Sequence, residues 1–449
     1  MKTDSLRRRT GVERLLDLPP TLLALLSAFL LPLPQTLLVS AIATAALGPG
    51  LGLLALLLVG SGNVIVTAGL SAAIARLGAD IGGRTTLPAV ANFYLGPIGR
   101  NVATFAILTM WFTALVGGLL GFVDVMSGLT QTAPIPWLVG LSIMVIILNK
   151  RKSLGFSVML MLSLVTFAIL LVIIFNLLPL VSLRALGAHV VGPELLSLPA
   201  WASVIAISFY TFFGASLLAP TAGFVLPRDA SGQAFIRGSI AGSVGLIVLV
   251  MAWLALVSSV LPRQELMNMS GTVLVALGQK AGSFQSVMCA SLAIALSGFS
   301  AIRAGGVLGN QLRDIPASRS AIGQLLLPAL PTLAGVLLIL IWMHIGQTNL
   351  TATLSVGGGL GIPIGCWIIP GMIIRQAEVA RQNKTSGLMR IVCHPMITTS
   401  LIIVGLCVLL VFGIFVWTWW PIKVFTTLLA IALAVWAARG HFIQAHRQD

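Results

Sequence analysis

Twelve apolar stretches divide this chain of 449 residues and constrain its fold more than any other feature. They are residues 21–46, 51–75, 101–123, 135–149, 154–178, 201–226, 238–261, 284–308, 322–343, 350–374, 396–417 and 421–438. A helix needs about 20 apolar residues to cross the hydrocarbon core of a bilayer. With 58% hydrophobic and 8% charged residues, the chain lacks the polar residues that would cover a soluble surface. We therefore predict an all-α polytopic membrane protein with about 12 transmembrane helices.

The positive charge of the chain follows the membrane rather than an acidic partner. There are 26 Lys and Arg residues, and the formal net charge is +15. With the N-terminus placed inside, 22 of them fall in cytoplasmic segments and 4 on the opposite side, which is the positive-inside asymmetry. We expect a multi-pass protein of the cell (inner or plasma) membrane with both termini cytoplasmic. Its expected partners are the lipid bilayer and a small molecule, with no nucleic acid, and its oligomeric state stays open.

Two spans contain helix breakers near their centres. The first span, "TLLALLSAFLLPLPQTLLVSAIATAALG", holds Pro32 and Pro34, which remove two amide donors. The sixth, "SFYTFFGASLLAPTAGFVLP", holds Gly214 in its middle. We predict that both helices are broken, near Leu31–Pro34 and Phe213–Leu217, and that the two breaks pack against each other.

The spacing of the breaks divides the chain into two halves. Pro32 and Gly214 lie 182 residues apart, and the starts of the third and eighth spans differ by about the same number. A half with an odd number of spans places its successor upside down in the membrane, so we predict a 5+5 inverted repeat plus two C-terminal helices. The predicted parts are a cytoplasmic N-terminal segment 1–20, a first repeat 21–178, a second repeat 201–374, two additional helices 396–438 and a cytoplasmic tail 439–449.

Broken helices at corresponding positions indicate the binding site of a transporter, because non-helical backbone inside a membrane is tolerated where it lines a cavity or is buried in protein. Proline kinks without a functional role are the alternative. A half-helix that restarts at a break presents unpaired amides and a positive dipole end, which favour a carboxylate. The candidate substrate-binding residues are Leu31, Leu33, Gln35, Thr36, Trp111, Phe209, Phe212, Phe213, Gly214, Ala215 and Ser216.

Three segments resemble the amino acid/polyamine/organocation (APC) superfamily of permeases, with some likeness to amino acid/auxin permeases. They are "GGRTTLPAVANFYLGPIGRNVATFAILTMWF", "FYTFFGASLLAP…VLPRDASGQAFIRGSI" and "SAIRAGGVLGNQLRDIP". The resemblance implies a LeuT-like fold and a secondary transporter that works by alternating access. By analogy with a sodium site in related folds, the hydroxyls of Ser297 and Ser300 are candidates for binding a coupling ion.

The chain also departs from this superfamily. Pro32 and Pro34 lack N–H groups, so the amide cradle for a substrate carboxylate is thinner than usual. No acidic residue follows Gly214 closely, and the fifth span, 154–178, contains no lysine. Coupling to H⁺ or Na⁺ therefore stays open, and we expect no cofactor and no metal.

The residues give no support for an enzyme. The sequence has no paired carboxylates at catalytic depth, no Walker loop and no clustered histidines, and its four cysteines lack metal-ligand spacing. The predicted function is transport of a neutral, apolar or aromatic amino acid, since Asp124 lies toward the outer end of its span and Arg303 toward the inner end of its own. Two alternatives stay open: a nucleobase or other small-solute carrier of the same fold, and an amino acid sensor that does not transport.

Overall fold

The computed structural model describes residues 17–77, 86–150, 156–182, 197–229, 231–269, 272–313, 327–346, 349–379, 394–416 and 420–445. Within them, 9 helices are long and apolar enough to cross a membrane. Three shorter apolar helices, Pro20–Leu30, Pro134–Leu148 and Leu330–His344, overlap the other three predicted spans. The described residues contain helices and no strand. The all-α membrane class is confirmed, and the number of crossings stays a prediction.

The helices follow the predicted spans in order. They are α1 Pro20–Leu30, α2 Leu33–Ala45, α3 Pro49–Leu77, α4 Leu87–Thr130, α5 Pro134–Lys150, α6 Phe156–Leu177, α7 Leu198–Thr211, α8 Ala215–Val225, α9 Gln233–Val260, α10 Arg263–Met267, α11 Val273–Ala281, α12 Ser283–Arg313, α13 Leu330–His344, α14 Leu350–Val356, α15 Ile369–Val379, α16 Pro395–Phe415 and α17 Trp420–Ala445. Of the predicted N-terminal segment 1–20, residues 1–16 lie outside the described residues. At the other end of the chain, α17 continues into the predicted tail 439–449.

The first and sixth spans are each broken into two half-helices, as predicted. In the first, α1 ends at Leu30 and α2 begins at Leu33. In the sixth, α7 ends at Thr211 and α8 begins at Ala215, so the break starts slightly earlier than the predicted range. The two breaks touch, because a Cβ built on Gly214 would lie 3.3 Å from Cγ of Pro32. Since α1 contacts α8 and α2 contacts α7, the two broken spans run antiparallel.

The packing of the spans has the symmetry of an inverted repeat. Span three, in α4, packs on span eight, in α12, and span two, in α3, packs on span seven, in α9. Span one packs on span seven through α1, just as span six packs on span two through α7 and α8. Exchanging each of these spans for its counterpart five places along the chain therefore reproduces these four contacts. This pattern confirms the two-halves topology that the matched breaks predicted.

Glycines allow the closest of these helix contacts. A Cβ on Gly242 of α9 would lie 2.8 Å from the Cβ of Ala28, and one on Gly238 would lie 2.7 Å from the Cβ of Ala24. Both glycines face the backbone of α1 directly, so this half-helix rests on a G-x-x-x-G surface. Gly118 of α4 has the same role against α12, where its Cβ would lie 2.6 Å from the amide nitrogen of Ala301.

The helix α4 begins before the third predicted span. That span starts at residue 101, whereas α4 starts at Leu87 and runs to Thr130. The hydroxyl of Thr86 caps the helix by accepting a hydrogen bond from the amide of Ala89 at 3.3 Å. Gly96, with φ +72° and ψ −167°, bends the chain immediately before Pro97. The helical turns before Gly96 therefore join the transmembrane part of α4 at a glycine-proline bend.

The tenth span is not a regular α-helix. Two π-helical segments, Gly357–Gly361 and Pro363–Ile368, lie between α14 and α15. The glycines bring this backbone against neighbouring helices: a Cβ on Gly361 would lie 2.9 Å from the amide of Met110. All residues of the two π-helical segments are buried, partly because α16 packs on them. The π turns supply irregular backbone that is enclosed by protein, where it is tolerated.

Candidate functional site

A small cavity lies where the two breaks meet spans three, five and eight. It has a volume of about 30 Å³, which is room for a water molecule or two and too little for an amino acid. The lining residues are Leu31, Trp111, Met159, Leu162, Ser163, Phe213, Phe299, Ser300, Ile302 and Arg303. The cavity is therefore an apolar chamber that is too small for an amino acid and contains one charged side chain.

The first break is held by a side chain from span eight. Pro32 and Pro34 have no amide hydrogen to donate, and the carbonyl of Leu31 instead accepts a hydrogen bond from Nη1 of Arg303 at 2.6 Å. Leu31 is the last residue before the break, so its carbonyl belongs to the negative end of the α1 dipole. A cation is stabilised at this end of a helix. Arg303 thus caps the half-helix α1 from a partner 272 residues away in sequence.

The sixth break is closed by short-range bonds. The amide of Ser216 donates to the carbonyl of Phe213 at 3.1 Å, and that of Leu217 donates to the carbonyl of Gly214 at 2.9 Å. Each bond joins residues three apart, so the α-helical ladder is interrupted here. The Phe213 carbonyl also accepts from Oγ of Ser216 at 2.9 Å and from Sγ of Cys366 at 3.7 Å. This carbonyl is therefore satisfied by the protein itself.

Aromatic rings form one wall of the cavity. Trp111 meets Phe213 edge to face, with ring centroids 5.7 Å apart and an interplanar angle of 89°. The guanidinium carbon of Arg303 lies 5.1 Å from the Trp111 ring centroid, a cation–π contact. Both rings are almost fully buried. The wall joins span three, the sixth break and span eight, so a change in any one of them alters the cavity.

The structure places three of the predicted substrate-binding residues on the cavity: Leu31, Trp111 and Phe213. Phe209 lies elsewhere, tilted against Trp367 with ring centroids 4.6 Å apart. The ring of Phe212 packs on Gly60 of α3. The others are buried at the breaks without lining the cavity, and the side chains of Gln35 and Thr36 lie outside the described residues. The residues that are buried at the breaks without lining the cavity are Leu33, Gly214, Ala215 and Ser216.

The two candidate ion-binding serines differ in position. Ser300 lines the cavity, and its hydroxyl donates to the carbonyl of Ala114 at 3.3 Å. Ser297 faces α4, where a Cβ on Gly121 would lie 2.7 Å from its Oγ. The Ser297 hydroxyl is buried and has no hydrogen-bond partner among the residues that the structure describes. Within the described residues, no group of three or more His, Cys, Asp or Glu side chains could hold a metal ion. The ion-binding role of both serines stays a prediction.

Six lining residues were not expected from the sequence. They are Met159, Leu162, Ser163, Phe299, Ile302 and Arg303. Arg303 is the most consequential, because the apolar run of span eight ends at residue 308 and suggests a position near the surface. The helix continues to Arg313, so Arg303 lies about one helical turn further from the end of the helix than the apolar run suggests. Ser163 had a weak signal as one of four residues, with Ser157, Thr166 and Asn176, that carry polar side chains in a largely apolar span.

Comparisons with known proteins support the fold. The chain resembles the solved structure of MhsT in complex with L-phenylalanine, with a TM-score of 0.60. Sequence identity is 13%, and the match covers 87% of this chain and 98% of that one. No family model matches the chain, and no curated protein sequence matches it. The chain is an all-α membrane protein of the LeuT fold, and membership of the APC superfamily stays a prediction.

Proposed function

We propose that this protein is a secondary active transporter that moves a neutral, apolar or aromatic amino acid across the membrane by alternating access. The observation that carries this proposal is the pair of broken helices that meet at one enclosed cavity. Breaks in the first helices of two inverted repeats are the usual position of a transporter site. An enzyme or a purely structural protein has no need for two matched interruptions packed on each other.

The closed cavity fits one stage of such a cycle. A chamber of about 30 Å³ holds no amino acid, so the half-helices must separate for substrate to enter. The inner and outer half-helices have different supports: α1 rests on Gly238 and Gly242, while the α2 carbonyl of Leu37 accepts a hydrogen bond from Trp253 Nε1 at 3.1 Å. Both supports lie on α9, Gln233–Val260, so different parts of one helix hold the two half-helices.

The lining favours an apolar substrate side chain. Leu31, Met159, Leu162, Phe213 and Phe299 supply most of the wall, and apolar surface of this kind selects by size and shape. None of the lining residues is acidic, so a cationic side chain would have no partner there. The fold match to a structure that contains L-phenylalanine points in the same direction.

Uptake into sealed proteoliposomes tests the proposal. Purified protein is first screened by thermal unfolding against the common amino acids and nucleobases, since a ligand at 100 times its Kd adds about 2.7 kcal/mol of stability. The best ligand is then supplied in labelled form under a proton gradient, a sodium gradient and no gradient. We expect saturable uptake of a neutral amino acid that leucine or phenylalanine displaces better than lysine.

The same screen distinguishes the alternatives. Binding of a nucleobase in place of amino acids would favour a nucleobase carrier of the same fold. Tight binding of an amino acid without flux under any gradient would favour a sensor. Dependence of uptake on one of the two gradients would identify the coupling ion. Empty liposomes and protein without a gradient serve as controls.

A further inference from the structure

Arg303 brings a positive charge into the cavity, and the lining residues supply no negative one. It is the charged member of the lining set. Within the described part of the chain, the ion pairs are Arg228–Asp17 and Lys280–Glu265, and Arg303 belongs to neither. An ionisable residue enclosed among membrane helices is expensive and marks a functional site by default. The charge is therefore available for an anion that enters the cavity.

The guanidinium retains donors for such an anion. Arginine has five N–H groups in a rigid planar fork, and the bond to the Leu31 carbonyl uses Nη1. The Trp111 ring centroid lies 5.1 Å from the guanidinium carbon. Among the described residues, Leu31 is the hydrogen-bond partner of Arg303, so the other N–H groups of Arg303 can donate to a ligand. A carboxylate matches this fork and can accept two parallel bonds. The prolines of the first break make such a donor more important, because they withdraw amides that would otherwise hold the carboxylate.

Acceptors for a substrate ammonium group are fewer. The Leu31 carbonyl already accepts one of its two possible hydrogen bonds, from Arg303, and the Phe213 carbonyl accepts from Ser216 and Cys366. These are carbonyls at the first and sixth breaks, where a substrate amine would otherwise find a partner. The side chains of the cavity that carry oxygen are the hydroxyls of Ser163 and Ser300. The site thus offers strong donors and weak acceptors.

We infer that Arg303 binds the carboxylate of the substrate, and that the site recognises apolar monocarboxylates through this group more than through the ammonium. The inference rests on the proposed function and names the part of the substrate that is recognised. Leu31, Phe213 and Phe299 then enclose the apolar body of the molecule. Arg303 links binding of the substrate carboxylate to the half-helix α1, because the same guanidinium donates a hydrogen bond to the Leu31 carbonyl at the C-terminal end of α1.

A matched ligand series on the wild-type protein tests recognition of the carboxylate. The ligands are phenylalanine, phenylalaninamide, which lacks the carboxylate, and 3-phenylpropionate, which lacks the ammonium. The same three forms of leucine provide a second series of different shape. Binding is measured by isothermal titration in detergent at pH 7. We expect both acids to bind at least about tenfold more tightly than the amide, since a hydrogen bond to a charged group is among the stronger polar contacts.

Variants of Arg303 assign this selectivity to the residue. Arg303→Gln keeps an amide donor for the Leu31 carbonyl and removes the charge, while Arg303→Lys keeps the charge and loses the fork. The control is Arg263→Gln, because Arg263 also donates to helix-end carbonyls, those of Ala45 and Ala46 at 2.9 Å, and lies outside this cavity. We expect Arg303→Gln to weaken both acids about tenfold or more and to leave the amide unchanged, with Arg303→Lys intermediate and Arg263→Gln like the wild type.

The outcomes separate this inference from the proposed function. Equal binding of acid and amide by the wild type would overturn the inference, as would Arg303→Gln retaining the full preference for acids. Either result leaves amino acid transport standing if phenylalanine or leucine still binds. Binding of phenylpropionate without any amino acid would overturn the proposed function and support the inference. If Arg303→Gln does not fold, as judged by gel filtration, the wild-type ligand series and Arg303→Lys still decide the matter.

Discussion

Substituting Gly242 with alanine tests whether the half-helix α1 is held by close backbone packing. A Cβ at this position would lie 2.8 Å from the Cβ of Ala28 and 3.1 Å from the amide nitrogen of Phe29, and it would also contact the carbonyl of Leu25. Carbon atoms pack best at about 3.5 to 4.0 Å, so α1 and α9 must separate by roughly 0.7 Å or more. Overpacking of this kind costs about 1–3 kcal/mol.

Gly245 provides the control on the same helix. Its Cβ would lie 3.4 Å from the Phe29 ring, an ordinary contact that requires no movement. Replacing glycine by alanine within a helix contributes up to about 1 kcal/mol in itself, and both variants gain it. We therefore expect Gly245→Ala to be neutral or slightly stabilising and Gly242→Ala to be less stable than it by about 1–3 kcal/mol.

Thermal unfolding of the purified proteins in one detergent measures the difference. Because α1 is half of the first broken span, Gly242→Ala should also lower the rate of uptake, while Gly245→Ala should not. The reasoning is refuted if Gly242→Ala unfolds at or above the temperature of Gly245→Ala. Substrate binding by both variants would show that any loss of uptake comes from the movement of α1 rather than from a misfolded protein.

Two further predictions follow from other contacts. The Asp229 carboxylate accepts a hydrogen bond from the amide of Ala234 at 2.6 Å. Hydrogen bonds, that of the Ser231 hydroxyl foremost, lower the pKa of Asp229 below 3.8. Asp229→Ala, which removes the acceptor, should therefore destabilise the protein by about 1 kcal/mol at neutral pH. A lowered pKa stabilises the fold above the ordinary value, so this difference should shrink in unfolding measured as the pH falls below 3.8. Gly214→Val should abolish uptake without unfolding the protein, because its side chain meets Pro32 at the paired breaks; retention of wild-type uptake would contradict this.

The sequence predicted the fold well because two kinds of residue act locally. Long apolar runs force helices, and prolines and glycines interrupt them, so the broken spans and their pairing were predictable from Pro32 and Gly214. The exact start of the sixth break was not, since Phe212 leaves the helix at φ −111° and ψ 41° without a proline or glycine at that position. The π turns of the tenth span were also missed, because they depend on packing against α4, α7 and α16.

The candidate site was only partly predictable. The aromatic residues Trp111 and Phe213 were found because they adjoin a break or its neighbour. Arg303 was placed near the surface, since an apolar run gives the length of a span and not the length of its helix. Its contact with Leu31 joins residues 272 positions apart, and no local pattern in a single sequence encodes such a pair. Apart from the pairing of the two breaks, contacts between side chains of different helices were beyond the sequence.

Alternating access requires that the cavity be reachable from each side of the membrane in turn. Ser163 lines the cavity and is almost fully buried, so Ser163→Cys places a thiol in the proposed pathway. The variant is made in a background where the four native cysteines are replaced by alanine and uptake is retained. A membrane-impermeant thiol reagent is then added to proteoliposomes from the outside or from the inside. We expect the reagent to label the thiol from each side of the membrane, more slowly in the presence of substrate, and to abolish uptake. If the reagent fails to label the thiol from one of the two sides while uptake continues, alternating access through this cavity is contradicted.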